Sequence, residues 1–300
     1  MIDLHTHTTY SDGRQSIEQL LKKAEEQKLE YISITDHQTV GAYRELENPD
    51  IRNLYSGKII PGIELLFEYN GIVNEVLGYG IDIDKMAKAN FLSRDILQNQ
   101  ELFFLQGLHA KFTELGFKLP PLSKLEDELV KGRGIARQII GRSIVSPENT
   151  KLCESMGILD RVGRLSFYNN EVLTPTGKHF VPQTRISLGA VCNAIHDTGG
   201  LVFMAHIFRA NRDMSKNTLD PRIIDMLDYA VENKLIDGIE VYYQSYAYDA
   251  FTKSQIEYLE KYCKEKNLLL SGGSDNHYTH HELSKIPQSW LGDWLGRVTL

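Results

Sequence analysis

The chain has 300 residues, 42% hydrophobic and 24% charged, with a formal net charge of -7. That balance describes a soluble globular protein large enough for one domain with an insertion, and it gives no global attraction to nucleic acid. No run approaches the roughly 18 apolar residues of a membrane span. Met1 leads straight into a strand, without the basic, apolar and cleavage segments of a secretory signal, so a cytoplasmic location and no membrane partner are expected.

Met1 to Thr6 reads as a strand. Its period of two places His5 and His7 on one face, where two imidazoles can aim at one point as metal ligands. Ser11-Asp12-Gly13 follows, a turn whose aspartate suits either the turn itself or a cation. Ser16 to Gln19 offers a capping box, and Ile17, Leu20, Leu21 and Ala24 mark a helix. Tyr31 to Thr35 is a strand running into Asp36-His37, and a helix is expected from about Thr39. Lys58 to Phe67 is the next strand, carrying Glu64. Asn70-Gly71, between Tyr69 and Ile72, signals a two-residue hairpin. That turn sets Leu66 opposite Glu75 and Glu64 opposite Leu77, so Glu64 and Glu75 share a face while Asn74 points away.

Between 84 and 182 the alternation of strand and helix fails, and the segment reads as an inserted, mainly helical cap subdomain dividing a barrel domain formed by 1–83 and 183–300. The rhythm resumes with a helical stripe of Leu188, Val191, Cys192 and Ile195 ended by Gly199-Gly200, then a strand from Leu201 to Ala205. Asp220-Pro221 opens a helix through about Asn233. It leads into the strand Asp237 to Tyr243, a helix from about Asp249 to Lys266, and the strand Leu268 to Ser271. Repeated βα units imply a parallel sheet in a closed or nearly closed barrel. Cys153, Cys192 and Cys263 fall in no metal-binding pattern and read as reduced packing residues. His109, His179 and His196 read as structural, and Trp290 and Trp294 as packing in the tail.

Barrel enzymes carry their chemistry at the carboxyl ends of the strands. Here those ends deliver His5 and His7, Asp36 and His37, Glu64, His206, and Asp275 with His277. Any one of these has a local structural explanation; their shared placement is what favours a site.

These motifs resemble those of the PHP (polymerase and histidinol phosphatase) metal-dependent phosphoesterases: Asp3-Leu4-His5-Thr6-His7 with Ser11-Asp12-Gly13, Ile34-Thr35-Asp36-His37, Pro61-Gly62-Ile63-Glu64, Leu77-Gly78-Tyr79, Ala205-His206 and Gly273-Ser274-Asp275-Asn276-His277. The resemblance implies a distorted seven-stranded (β/α) barrel of TIM-like class with two to three divalent ions. It implies His5, His7, Glu64 and Asp275 on one ion, Glu64 bridging to a second with Glu75 and His206, and Asp12, His37 and His277 on a third. His5, His7, Glu64, His206 and Asp275 form its implied catalytic set. The insertion and the run Gly132 to Arg137 resemble the branch acting on nucleotides or small phosphorylated molecules, which implies phosphate contacts from Arg209 and Arg133.

Where the family has histidine, this chain has Glu75. A carboxylate is harder than imidazole and favours manganese, with iron, magnesium or zinc as alternatives. Four carboxylates against three divalent ions leave about +2 rather than about +3 to face a phosphate. Ile207 replaces the usual proline, Tyr246 a histidine, and the histidine of the Gly-Arg motif is missing, so the departures concern the substrate more than the metals. The expected function is hydrolysis of a phosphate monoester, on a nucleotide or related small molecule, by a hydroxide bridging two metals. The alternatives are a phosphodiesterase or short-RNA exonuclease acting on oligonucleotides, or a degenerate module that binds without turnover. Glu240 and Asp36 are expected to order ligands, and His280 and His281 to lie near the rim.

Overall fold

The computed structural model describes residues 1–89, 92, 94–131, 135–173, 177–183, 185–211, 213–244 and 250–298, with the side chains of 94, 95, 97 and 161 outside the description. It divides into two compact units, Met1–Ala89 with Ile186–Leu300, and Asn90–Arg185. Among the described residues, no helix is long and apolar enough to cross a membrane.

The first unit is an α/β fold built on seven strands: β1 (Ile2–Thr6), β2 (Tyr31–Ile34), β3 (Lys58–Tyr69), β4 (Ile72–Tyr79), β5 (Leu201–Met204), β6 (Gly238–Tyr243) and β7 (Leu269–Gly273). They neighbour one another in chain order. The barrel nearly closes where β7 returns to β1: Thr6 bridges Asn276, and the His7 amide donates to the Asn276 carbonyl at 3.0 Å. Gly273 permits this approach, because a Cβ there would sit 2.4 Å from the Cβ of His5.

The sheet is not wholly parallel. β4 runs antiparallel to both β3 and β5, while the other neighbours are parallel. The Asn70-Gly71 hairpin causes the exception, since a two-residue turn can only reverse the chain. Its register pairs Tyr69 with Ile72, Leu66 with Glu75 and Glu64 with Leu77, as the turn chemistry predicts. β1 and β2 are buried along their whole length, consistent with strands covered on both faces.

The helices of this unit are α1 (Ile17–Glu26), α2 (Ala42–Glu45), α3 (Pro49–Arg52), α4 (Ile83–Met86) and, after the second unit, α10 (Leu188–Asp197), α11 (Pro221–Glu232) and α12 (Lys253–Lys266). Ser16 and Gln19 form the expected capping box of α1. The helix expected from Thr39 is broken in two: Asn48 caps Pro49 and restarts the chain as α3. α12 begins later than expected, because Thr252 caps it in a box with Gln255. In the tail, the buried Trp294 packs on Phe203 and Tyr79, with ring centroids 4.8 and 5.5 Å away, and its indole N–H donates to the Leu270 carbonyl at 2.9 Å.

The second unit contains α5 (Arg94–Glu114), α6 (Leu122–Val130), α7 (Ala136–Ile144), α8 (Thr150–Ser155) and α9 (Arg161–Phe167). Its own core joins Leu105, Leu108 and Phe112 of α5 to Leu125 of α6, Ile139 and Ile140 of α7, and Cys153 of α8. α4 falls within the residues of the first unit, and the second runs from Asn90 to Arg185 where the sequence reading has 84–182. All three cysteines are free and buried.

Candidate metal centre

Three strands, β1, β3 and β7, bring the first group together. His5, on β1, and His7, just past its end, point Nε2 atoms at Glu64 Oε2, each at 3.2 Å, and at Asp275 Oδ1, at 3.4 and 3.1 Å. All four residues are buried, and their ligand-type atoms lie within 4.8 Å of one another. Donors about 2.1 Å from a shared ion in tetrahedral or octahedral array would themselves be about 3.0–3.4 Å apart.

The donor atoms also lack other employment. Among the described residues, His5 Nε2, both ring nitrogens of His7 and Glu64 Oε2 are buried without a hydrogen-bond partner. Orphaned buried polar atoms are rare and costly. Here several converge on one region with carboxylates between them, which is the environment a cation would satisfy. Burial disfavours imidazolium on His5, yet Glu64, Glu240 and Asp275 raise its pKa well above the ordinary value. Burial likewise works against an ionised Asp275, but His5 and His7 hold its carboxyl well below the usual range. The residues fit a divalent ion by donor type, burial and spacing.

A second group contains His37, Glu64 and Glu75. His37 Nδ1 lies 3.1 Å from Glu64 Oε2 and 3.5 Å from Glu75 Oε1. His206 approaches from the other side, with Nε2 3.0 Å from Glu64 Oε1 and 3.3 Å from Glu75 Oε2. Asn74 turns away and donates to the Ala205 carbonyl at 3.1 Å. A third group contains His7, Asp12, His37 and His277. Asp12 Oδ1 lies 3.1 Å from His277 Nε2 and 3.6 Å from His37 Nε2. His37 therefore faces two groups, one with each ring nitrogen, whereas the family resemblance implies only the third. The first group is buried, while Asp12 is exposed and His37 partly so, which makes the Asp12 side the solvent side.

Other side chains hold this arrangement. Asp36 is a positioning residue: its carboxylate accepts from the Thr8 amide (2.7 Å), the Thr8 hydroxyl (2.6 Å) and the Ser11 hydroxyl (2.6 Å), fixing the loop that carries Asp12. Gly13 lets that loop lie against β1, since a Cβ there would be 2.5 Å from the His7 carbonyl carbon. Glu240 accepts at its two oxygens from His5 Nδ1 and the His206 amide, both at 2.9 Å. His206 and Asp275 both have positive φ, +24° and +50°, a conformation that non-glycine residues rarely adopt and that clusters at functional sites.

Arg209 lies one short turn beyond His206 and donates to Asp275 Oδ2 at 3.2 Å, where it meets the Tyr243 hydroxyl, which donates to the same oxygen at 2.9 Å. Arg133 and Tyr246 lie outside the described residues. His109, His179 and His196 stand apart from the three groups. Two contributors were not read as such from the sequence. Asp3 takes four hydrogen bonds, from the amides of His5, Ser274 and Ser284 and the Ser274 hydroxyl, tying β1 to the turn before Asp275. Its signal was the same period of two that joins His5 to His7. Tyr243 had no comparable signal, because an aromatic at a strand end reads as packing.

The chain is 25% identical over 280 residues to a protein named 5'-3' exoribonuclease from Haemophilus influenzae, covering 92% of this chain and 89% of that one. It is 23% identical over 209 residues to the 5'-3' exoribonuclease Rnm of Escherichia coli, covering 70% of this chain and 66% of the relative, just under two thirds of its length. Among solved structures, an amidohydrolase from Chromobacterium violaceum matches with TM-score 0.68 at 20% identity, over 100% of this chain and 97% of that one. A protein from Bifidobacterium adolescentis named for metal-dependent phosphoesterase activity matches with TM-score 0.61 at 18% identity, over 97% and 91%. These two likenesses are of fold. Residues 3–124, which include six of the nine candidate ligands, match the model of the PHP domain family.

Proposed function

We propose that the protein is a metal-dependent phosphoesterase that hydrolyses a phosphate ester of a nucleotide or a related small molecule, with a monoester as its substrate. The observation that carries this reading is the convergence of buried, unpartnered imidazole and carboxylate atoms at the strand ends, opening toward solvent past Asp12. His5, His7, Glu64 and Asp275 would hold one divalent ion; Glu64, Glu75, His206 and His37 a second; and Asp12, His37 and His277 a third. Such ions, when bound, supply an acidified water as nucleophile and neutralise the phosphoryl oxygens.

The protein's own part is positioning. Glu240 accepts the Nδ1 proton of His5 and so leaves Nε2 with its lone pair toward Glu64 and Asp275. Asp36 fixes the loop on the solvent side. Arg209, partly exposed beside Asp275, has the charge and planar donor set to bind a phosphate arriving there.

A second reading is favoured by the names of the relatives: removal of nucleotides from the 5′ end of a short RNA. The same residues serve either ester, since both need an activated water and charge neutralisation at phosphorus. Elemental analysis, with release assays on adenosine 5′-monophosphate, a 3′,5′-bisphosphate and a 5′-phosphorylated oligonucleotide in manganese, tests both. Inorganic phosphate from the monophosphate or bisphosphate supports the monoester reading, and mononucleotides from the oligonucleotide support the exonuclease. Fewer than two metals per chain together with no release from any substrate would sink both. Arg209→Ala is expected to raise KM at least tenfold.

A further inference from the structure

The turn after Asp275 carries three rings that contribute little to the barrel core. Tyr278, His280 and His281 pack on one another with centroids 5.5 Å (Tyr278 to His280), 5.0 Å (Tyr278 to His281) and 4.3 Å (His280 to His281) apart. The Arg14 guanidinium lies over the Tyr278 ring, 5.6 Å from its centroid. His280 and Arg14 are exposed, and Tyr278 and His281 are partly so.

The backbone beneath these rings is heavily tied. The Lys23 ammonium, from α1, donates to the carbonyls of Tyr278 (3.4 Å), Thr279 (2.8 Å) and His281 (2.8 Å). Asn276 donates from its amide to the carbonyls of His281 (3.2 Å) and Glu282 (3.0 Å), and accepts from the Tyr278 amide at 3.0 Å. A loop tied in this way, with its aromatic side chains partly or fully exposed, is pre-organised for a planar ligand, because little backbone freedom remains to be lost on binding.

Its position says which ligand. Tyr278 directly follows His277, whose ring stacks on His7 with centroids 4.1 Å apart and whose Nε2 faces Asp12. Arg14 is two residues beyond Asp12, and its amide donates to the His277 carbonyl at 2.8 Å. Rings and cation thus begin one residue from the solvent-side group of the metal centre. An unpaired base matches such a surface, since every base presents a π face to aromatic rings and to an arginine plane.

We infer that Tyr278 and Arg14, with His280 and His281, form a wall on which the base of a nucleotide stacks while its phosphate lies at the metal centre. The inference rests on the phosphoesterase reading and names the part of the substrate that reading leaves open.

Two measurements on the full chain keep the failures apart. The first is saturation-transfer NMR of the base protons of adenosine 5′-monophosphate on chelator-treated wild type, Tyr278→Ala and Tyr278→Phe, so that no turnover intervenes. Saturation is expected with wild type and Tyr278→Phe, and its loss is expected in Tyr278→Ala. The second is the ratio of kcat/KM for adenosine 5′-monophosphate to that for ribose 5-phosphate in manganese. That ratio is expected to fall about 5- to 150-fold in Tyr278→Ala through KM, and to hold in Tyr278→Phe. No saturation of the wild type, equal saturation in Tyr278→Ala, or an unchanged ratio would overturn the stacking wall. Phosphate release from neither compound would count against the phosphate-monoester reading alone, leaving the NMR result to decide the wall.

Discussion

His5 Nδ1 lies 2.9 Å from Glu240 Oε1, and the other oxygen of that carboxylate accepts the amide of His206 at the same distance. One buried side chain thus sets the tautomer of one candidate ligand and the strained backbone of another. An amide in its place has only one acceptor oxygen, so Glu240→Gln must either abandon one of the two bonds or donate to His5 Nδ1 and so move the His5 proton to Nε2, where it blocks the lone pair. We expect Glu240→Gln to fold and to bind divalent ions about 10- to 100-fold more weakly, the usual effect of removing such a partner. Competition with a chelator dye measures it. Wild-type affinity in the variant would show that Glu240 serves the fold and not the ions.

Glu75 stands where the resemblance leads one to expect histidine, and its oxygens lie 3.3 Å from His206 and 3.5 Å from His37. If it is a ligand, Glu75→Ala should lower bound metal and phosphate release by the same order as His7→Ala. Glu75→His should retain metal and shift preference toward zinc, since imidazole is the softer donor. Elemental analysis after equilibration with equal manganese and zinc reads this out. Full activity in Glu75→Ala would remove Glu75 from the centre.

These cases mark how far the residues can be read without coordinates. Glu75 was legible because Asn70-Gly71 admits one register, and that register fixes every side-chain face along β3 and β4. The barrel was legible because β-branched runs alternate with helical stripes at Ile17–Ala24 and Leu188–Ile195. The fate of the segment after Thr39 was not, since its periodicity is short and only Asn48-Pro49 betrays a restart. Glu240 was legible as a strand-end carboxylate that orders a ligand, whereas Asp3 and Tyr243 act through partners more than 30 residues distant. No local pattern records such pairings. The two faces of His37 are a matter of ring orientation, which spacing cannot express.

His196, on α10, supplies a pH-dependent contribution away from the metals. Its Nε2 lies 2.9 Å from Asp237, whose same oxygen accepts the Val202 amide at 2.8 Å. The hydrogen bond to Asp237 raises the His196 pKa despite burial. A raised folded-state pKa stabilises fully below the unfolded value of about 6.5 and is lost as pH rises through the folded value. We therefore expect His196→Gln to cost more at pH 5.5 than at pH 9, by about 1 kcal/mol or less for so partly exposed a pair. Urea midpoints at the two pH values measure it. A larger cost at pH 9 would reverse the assignment.

Gly273 is the narrowest point of the barrel's closure, and it sits directly against His5. An added methyl would lie 2.4 Å from both the Cβ and the backbone nitrogen of His5, so β7 and β1 must separate to admit it. Overpacking of this kind costs about 1–3 kcal/mol. The displacement falls on a candidate ligand whose ring is also held from the far side by Glu240, so the strain cannot be relieved by a simple ring rotation. Gly273→Ala should therefore lose metal affinity as well as stability. Gly189→Ala makes the contrast: its methyl would meet nothing within 4 Å in α10, and helix propensity favours alanine by up to about 1 kcal/mol. Thermal unfolding with and without manganese separates the two effects. If Gly273→Ala melted lower yet gained as much from manganese as the wild type, closure of the barrel would be independent of the centre, and the contact between Gly273 and His5 would matter for folding alone.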